Sequence, residues 1–252
     1  MRHLFSAHGE RALEKVMRLH PLLAFDFDGT LAPIVTRPND ARISVAVSRG
    51  LARLSEFLPV AIVTGRAVAD VAPRLGFEPR YIIGNHGGED PSGALRRGSV
   101  AALEALRKKL VARIEILRAA GVEVEDKQYS IALHFRLARN RAVASACIER
   151  ELGDLDPLLK LFGGKLVVNI SPADAPDKGE AVTSLLRQCG SKAAVFVGDD
   201  VTDEAVFARA GHDWLTVRIG RDERASLARY FLDSPSEMAT LLQKMLALLK
   251  SP

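Results

Sequence analysis

Leu22-Leu-Ala-Phe-Asp-Phe-Asp-Gly-Thr-Leu31 decides how the rest of the chain is read. An apolar run enters Asp26 without a polar break, and Asp28-Gly29 then closes it with a turn. A short solid apolar run of this kind is the pattern of a strand buried on both faces, as in a parallel sheet covered by helices on either side. Val60-Ala-Ile-Val63 repeats it ahead of Thr64-Gly65-Arg66, as do Tyr81-Ile-Ile83 and Ala193-Ala-Val-Phe-Val197 ahead of Gly198-Asp199-Asp200, with a further strand expected at Trp214–Ile219. Helical spacing precedes and separates these runs: a helix up to about His20 on Leu13, Val16 and Met17, then segments over 44–57, 67–75 and 236–249, and a helix opened by Lys178. Strands alternating with helices predict an α/β fold with a doubly wound, mostly parallel sheet.

The pattern changes after Gly87-Gly88. Val100, Leu103, Leu106, Leu110, Ile114 and Leu117 mark a single helix that Gly121 stops. Beyond it apolar and polar residues alternate: Val122 and Val124 with Glu123 and Glu125, Tyr129 to Phe135 with Ser130 to Arg136, and Leu166, Val168 and Ile170 with Lys165, Val167, Asn169 and Ser171. Period-two alternation predicts a sheet with one packed face and one open face, and the helix-like stretch 140–152 suits the packed one. The expected organisation is therefore a core of residues 1–88 and 174–252 with an α+β module, 89–173, inserted into it.

Bulk properties narrow the function classes. Of 252 residues, 48% are hydrophobic and 26% charged, the balance of an ordinary soluble globular protein. No apolar stretch approaches the roughly 20 residues of a membrane span, and the N-terminus lacks the apolar region of a secretory signal, so a cytoplasmic protein is expected. Cys147 and Cys189 stand far apart and form no CxxC, which argues against a zinc site or disulfide framework. The net charge of +4 comes from scattered arginines, with aromatics at only 6%, so no nucleic-acid partner is expected. A small phosphorylated substrate would equally feel that excess. The oligomeric state is open, with a monomer as the working expectation.

Side chains able to do chemistry gather in loops that follow the core strands, where a doubly wound sheet binds its ligands. The first loop holds Asp26, Asp28 and Thr30; the second Thr64 and Arg66; the third Asn85 and His86; the fourth Asp199, Asp200 and Asp203. Taken singly, each has a bland explanation. Asp-Phe-Asp-Gly reads as an Asx-capped turn, Thr64-Gly65 as a helix cap, Lys178 as a solvated surface lysine and Asp199-Asp200 as a complement to a helix dipole. Taken in order, carboxylates converging on one point need a cation among them, and hard oxygen ligands with open positions suit Mg²⁺.

That order, Asp26-Phe-Asp-Gly-Thr-Leu31, Thr64-Gly-Arg66, Lys178-Gly179 and Gly198-Asp-Asp-Val-Thr-Asp-Glu204, resembles the haloacid dehalogenase superfamily. The resemblance implies that Asp26 is a nucleophile forming an aspartyl-phosphate. Asp28, two residues along the strand, would protonate the leaving group and then activate water. Mg²⁺ would be held by Asp26, the backbone carbonyl of Asp28 and Asp199. Thr64 and Lys178 would bind phosphoryl oxygens, Gly65 would support Thr64, and Asp203 or Asp200 would orient Lys178 or a metal-bound water.

Within the inserted module, Glu123, Glu125, Lys127, Ser130, His134, Arg136, Lys165 and Asn169 line the polar strand faces. Acids and bases on an open sheet suit a polyhydroxylated ligand held by charge-assisted hydrogen bonds, with Glu123 read as solvated. Ile83-Gly-Asn-His-Gly-Gly-Glu89, Val124-Glu-Asp-Lys-Gln-Tyr-Ser-Ile-Ala-Leu-His-Phe-Arg136 and the segment 165–179 are similar to trehalose-6-phosphate phosphatases. By that resemblance Glu125, Lys127, Arg136, Lys165 and Asn169 face the distal glucose, while Asn85, His86 and Gly87 line the core side. The implied reaction is hydrolysis of trehalose 6-phosphate to trehalose and phosphate, the last step of trehalose biosynthesis. Sucrose-phosphate phosphatase, mannosyl-3-phosphoglycerate phosphatase and phosphomannomutase share the core and cap style. Asn169 departs from the family pattern, which has a glutamate there, and so lacks a charged acceptor. Closure of the cap is expected, with crossings at Pro91 and 171–176 and a hinge at Gly87-Gly88.

Overall fold

A computed structural model of the chain describes residues 1–89, 97–164, 166–221 and 225–250; Pro91 and Lys165 fall outside these. In chain order the first elements are β1 (Arg2–His3), α1 (Ala7–Met17), β2 (Leu22–Phe25), α2 (Val45–Ser55), β3 (Val60–Val63), α3 (Val68–Leu75) and β4 (Tyr81–Ile83). Next come α4 (Arg97–Ala112), α5 (Ile114–Ala119), β5 (Glu123–Asp126), β6 (Ile131–His134), α6 (Arg141–Glu151), β7 (Leu159–Gly164) and β8 (Val167–Pro172). The chain ends with α7 (Lys178–Cys189), β9 (Ala194–Gly198), α8 (Glu204–Arg209), β10 (Trp214–Ile219), β11 (Tyr230–Leu232) and α9 (Met238–Lys250).

Two compact units result, Met1–Pro91 with Asp177–Pro252, and Ser92–Pro176. Their limits fall three residues later than the sequence pattern suggests, for a local reason. Glu89 exchanges both backbone bonds with Gly84 of the first unit, whereas Ala173 N–H donates to Leu158 O and Lys160 Nζ to Ala175 O within the second.

In the first unit all seven strands are parallel, in the order β1-β11-β10-β9-β2-β3-β4. Successive residues of β2 explain its unbroken apolar sequence. Leu23 and Phe25 pack into one core with α1, α2 and α9, while Leu22 and Ala24 pack into another with α7 and α8. The chain winds outward from β2 through β3 to β4, and from β9 through β10 to β11 in the opposite direction. The junction of β2 and β9 is therefore the switch point, where the following loops part and leave room for a ligand.

The second unit is a four-stranded antiparallel sheet, β5-β6-β8-β7, with α4, α5 and α6 over one face around Leu103, Leu110, Leu117, Leu133, Ile148 and Ile170. Two expectations change here. The single helix over 100–117 is two, broken at Arg113 (φ −108°, ψ 9°), so that Leu110 and Leu117 both stay buried while Val100 is exposed. The strand at β7 has no counterpart in the sequence reading, because Gly163-Gly164 interrupts its alternation. Among the described residues no helix is long and apolar enough to cross a membrane.

Phe196, fully buried in β9, meets Phe207 of α8 edge to face with ring centroids 5.8 Å apart. Phe196→Ala is expected to lower unfolding free energy by about 3–5 kcal/mol, seen as a lower urea midpoint at unchanged slope.

Candidate active site

The N–H of Asp26, the first residue beyond β2, donates to Val197 O of β9 at 2.9 Å, so the first and fourth loops leave neighbouring strands at the same level. Gly29 brings them closer. It adopts φ +78°, and a Cβ there would lie 2.3 Å from Asp199 Oδ2. Gly198 does the same within the fourth loop, where a Cβ would sit 2.4 Å from the Asp203 carboxyl group. As a result Asp26, Asp199 and Asp203, all buried, each bring a carboxylate oxygen within 4.8 Å of the others.

Lys178 is the first residue of α7, whose start is fixed by a capping box between Asp177 and Glu180. A cation at a helix N-terminus opposes the helix dipole, so its place there needs another explanation. Its side chain is 2% exposed, and Nζ donates to Asp26 Oδ1 at 2.8 Å and Asp203 Oδ1 at 2.7 Å. Gly179 permits this, because a Cβ would stand 2.3 Å from Ala205 O and hold α7 away from the fourth loop and α8. Asp203 Oδ2 also accepts from Asp200 N–H at 2.9 Å. Lys178 is thus oriented by Asp203, and Asp200 contributes its backbone.

Three buried carboxylates against one ammonium leave an excess of two negative charges. Burial pushes the Asp26 carboxyl well above its ordinary range; Lys178 pulls it back, and Asp203 and Asp199 push it up again. Burial likewise opposes the Lys178 ammonium, but Asp203 and Asp26 outweigh it and hold the group charged. A divalent cation would balance this charge, and the carboxylates of Asp26 and Asp199 offer hard oxygens of the kind Mg²⁺ takes. The buried hydroxyls of Thr30 and Thr202 and an oxygen of Asp200 have no hydrogen-bond partner among the described residues, as groups facing a hydrated ion or an anion would. The residues fit a divalent metal.

The second and third loops are built as one. Thr64 is buried, and its Oγ1 accepts from Arg66 N–H at 3.2 Å, leaving its own proton to donate. His86 N–H bonds Thr64 O and Asn85 N–H bonds Arg66 O, both at 2.9 Å. The His86 ring lies over Gly65, where a Cβ would come within 2.3 Å of it. Asn85 (φ 50°), His86 (φ 58°) and Gly87 (φ 115°) form a left-handed run, costing of order 1–3 kcal/mol for each non-glycine residue. Glu89, which no spacing argument singles out, offsets that: its Oε2 accepts from Asn85 Nδ2 at 2.7 Å and from Val68 N–H at 2.9 Å.

Asp28 is placed differently from the other acids. Its side chain is 43% exposed, and both oxygens are taken by Arg66, through Nε at 2.6 Å and Nη2 at 2.7 Å. No signal in the sequence links residues 38 apart in this way.

In the second unit the sheet register sets Glu125, Ala132, Asn169 and Phe162 in one row across four strands. Glu125 Oε2 meets His134 Nε2 at 2.8 Å and Lys127 Nζ at 3.6 Å, so its partners include a histidine that spacing alone leaves unassigned. Arg136 is half-buried just past β6, and Lys165 lies outside the described residues. The face expected to be open is exposed at Glu123 and Glu125 but buried at Ala132, Asn169 and Ser171.

Residues 24–236 match the family model described as trehalose-phosphatase. The trehalose-phosphate phosphatase of Mycobacterium avium (strain 104) is 35% identical over 90% of this chain and 62% of its own length. That of Mycobacterium ulcerans (strain Agy99) is 33% identical over 87% of this chain and 60% of its own. The chain thus spans about 60% of the length of these curated relatives. Among solved structures, the C-terminal domain of C. albicans trehalose-6-phosphate phosphatase superposes with a TM-score of 0.77 at 20% identity, over 95% of this chain and 96% of that one. A haloacid dehalogenase-like hydrolase from B. subtilis gives 0.61 at 18%, over 88% and 98%. These likenesses establish the fold, and the match over 24–236 places the chain in the trehalose-phosphatase family.

The raised Asp26 carboxyl makes a prediction with a definite sign. In the unfolded chain it titrates near 3.8, whereas the folded protein holds the proton more tightly. Where the folded state binds more protons, stability falls as pH rises. In chelator, calorimetry should show Asp26→Asn gaining stability relative to wild type as pH increases from about 4; a constant difference would contradict the electrostatic account.

Proposed function

We propose that this member of the trehalose-phosphatase family hydrolyses trehalose 6-phosphate to trehalose and phosphate, with Asp26 as nucleophile. The observation that carries the proposal is the buried Lys178 ammonium between Asp26 and Asp203, with Asp199 beside them. A charged cluster like this is costly to bury and contributes little to stability alone, whereas it suits a site that must hold and neutralise a phosphoryl group.

In the proposed sequence a carboxylate oxygen of Asp26 attacks phosphorus, and the bond from phosphorus to the sugar oxygen breaks. Asp28 gives its proton to the departing alkoxide. It then takes a proton from water, whose oxygen attacks the phosphorus of the aspartyl-phosphate; phosphate leaves and Asp26 is regenerated. Lys178 and the Thr64 hydroxyl donate to the transferring oxygens, with Asp203 steadying Lys178. Held by Asp26, Asp199 and the Asp28 carbonyl, Mg²⁺ would screen the carboxylates from the incoming phosphate.

Groups able to bind a sugar are proposed in each unit taken by itself. Glu125, Lys127, Arg136 and Lys165 offer charged partners to hydroxyls, and Asn85, His86 and Gly87 offer polar groups on a strained, pre-formed loop. Asn169 offers an amide in place of the family's carboxylate, so one sugar hydroxyl would be held by a neutral hydrogen bond.

Phosphate release should favour trehalose 6-phosphate over sucrose, mannose and glucose 6-phosphates by at least about tenfold in kcat/KM, a gap of roughly 1.4 kcal/mol. Comparable rates across the panel would overturn the substrate assignment. Asp26→Asn should reduce turnover by at least about 1,000-fold with the fold intact; surviving turnover would remove Asp26 as nucleophile. Chelation should abolish activity, and added Mg²⁺ should restore it and raise Tm.

A further inference from the structure

Arg66 belongs to the second loop but has no part in the chemistry above, and its surroundings are specific. Its side chain is 10% exposed, and every nitrogen of the guanidinium is engaged. Nη1 donates to Asp70 Oδ2 at 2.7 Å, Nη2 to Pro38 O at 2.9 Å, and the group stands over the Phe27 ring with Cζ 5.3 Å from its centroid. Asp70 is held in turn by Arg74, whose Nη1 reaches Asn39 O at 2.6 Å. These contacts fix the guanidinium without help from Asp28. The remaining prong, Nε with Nη2, meets the two oxygens of Asp28 at 2.6 and 2.7 Å.

A short, half-exposed carboxylate has several rotamers of similar energy, and a proton donor loses most of its value when it is not aimed. A planar fork fixed from behind removes that freedom, because only one carboxylate orientation makes both bonds. We propose that Arg66 is the positioning residue for Asp28, seating its carboxylate for proton transfer at the sugar oxygen. The inference rests on Asp28 being the proton-transfer group of the proposed reaction. Asp28 accepts two bonds in the seated pose. As the acid it carries its proton on one oxygen, which gives up its bond to Arg66 while the other oxygen keeps its own; the proton passes to the sugar oxygen, and the carboxylate left behind accepts both bonds again.

The test uses leaving groups that differ in their need for a proton. A sugar alkoxide departs poorly without one, whereas p-nitrophenolate departs unaided. Values of kcat/KM report events up to transfer of phosphorus to Asp26, before Asp28 acts as a base. Arg66→Lys keeps the charge and loses the planar two-pronged donor. For this variant kcat/KM on trehalose 6-phosphate should fall by about 10- to 100-fold, a fraction of what a general acid supplies. On p-nitrophenyl phosphate it should stay within about threefold. Asp28→Asn should show the same selectivity, and the double variant should lose no more than Asp28→Asn alone.

Equal losses on both substrates, additive losses in the double variant, or no loss would each overturn the inference. If Arg66→Lys folds poorly by circular dichroism, Asp70→Asn loosens the fork without touching Asp28 and should give a smaller loss of the same selectivity. A wild-type protein that turns over neither substrate would instead overturn the phosphatase reading, and the inference with it. A role for Arg66 in fold alone would move both substrates together.

Discussion

A lysine with no exposed surface to speak of, bonded to two carboxylates that are themselves buried, sets the terms for the whole first unit. Removing Lys178 would leave the buried carboxylates without a counter-charge, at roughly 3–5 kcal/mol. The surrounding backbone is shaped to avoid that. Gly179 lets α7 approach closely, Gly198 makes room for the Asp203 carboxyl group, and Gly29 lets the first loop pass over Asp199. None of these positions has space for a methyl group without displacing a charged atom or a carbonyl of the cluster's supports. The cluster still carries excess negative charge, which a divalent cation would balance.

The loops on the β3 and β4 side answer a different need. In the proposed reaction Thr64 and the run 85–87 present polar groups at set positions, and backbone bonds tie them into one piece. The strained conformations of Asn85 and His86 persist because Glu89, Thr64 O and Arg66 O each satisfy a donor that would otherwise be lost. Arg66 joins this piece to the first loop through Asp28. The proton carrier of the proposed reaction, Asp28, has a side chain 43% exposed, while Asp26, Asp199 and Asp203 are buried. That division follows from desolvation: burial makes a fixed charge network strong, and a proton carrier needs room to move.

In the second unit the antiparallel register matters more than any single residue. A one-residue slip would turn Glu125 and Asn169 to the helix-covered face, so the buried apolar stripe of Leu133 and Ile170 and the polar row opposite specify each other. His134 adds a partner for Glu125 from the adjacent strand, nine residues away in sequence.

By itself the sequence determined the core strands, because residues buried on both faces must be apolar throughout, and it determined the residue types of the four loops. The order of Asp26, Thr64, Lys178 and Asp199 carried the resemblance to the haloacid dehalogenase superfamily. Short or glycine-interrupted strands such as β1, β7 and β11 escaped it, since two or three residues hold no period. The break at Arg113 escaped too, because the apolar stripe continues on both sides of it. Only the tertiary structure decided which acid takes Lys178, that Arg66 claims Asp28, that Glu89 holds the third loop, and that Asn169 is buried. Each is a pairing set by sheet register and helix packing between residues that are distant in the chain or whose local sequence permits several partners. The physical reason is that side-chain chemistry is local, whereas the distance between two charges, on which their energy depends, is a property of the fold.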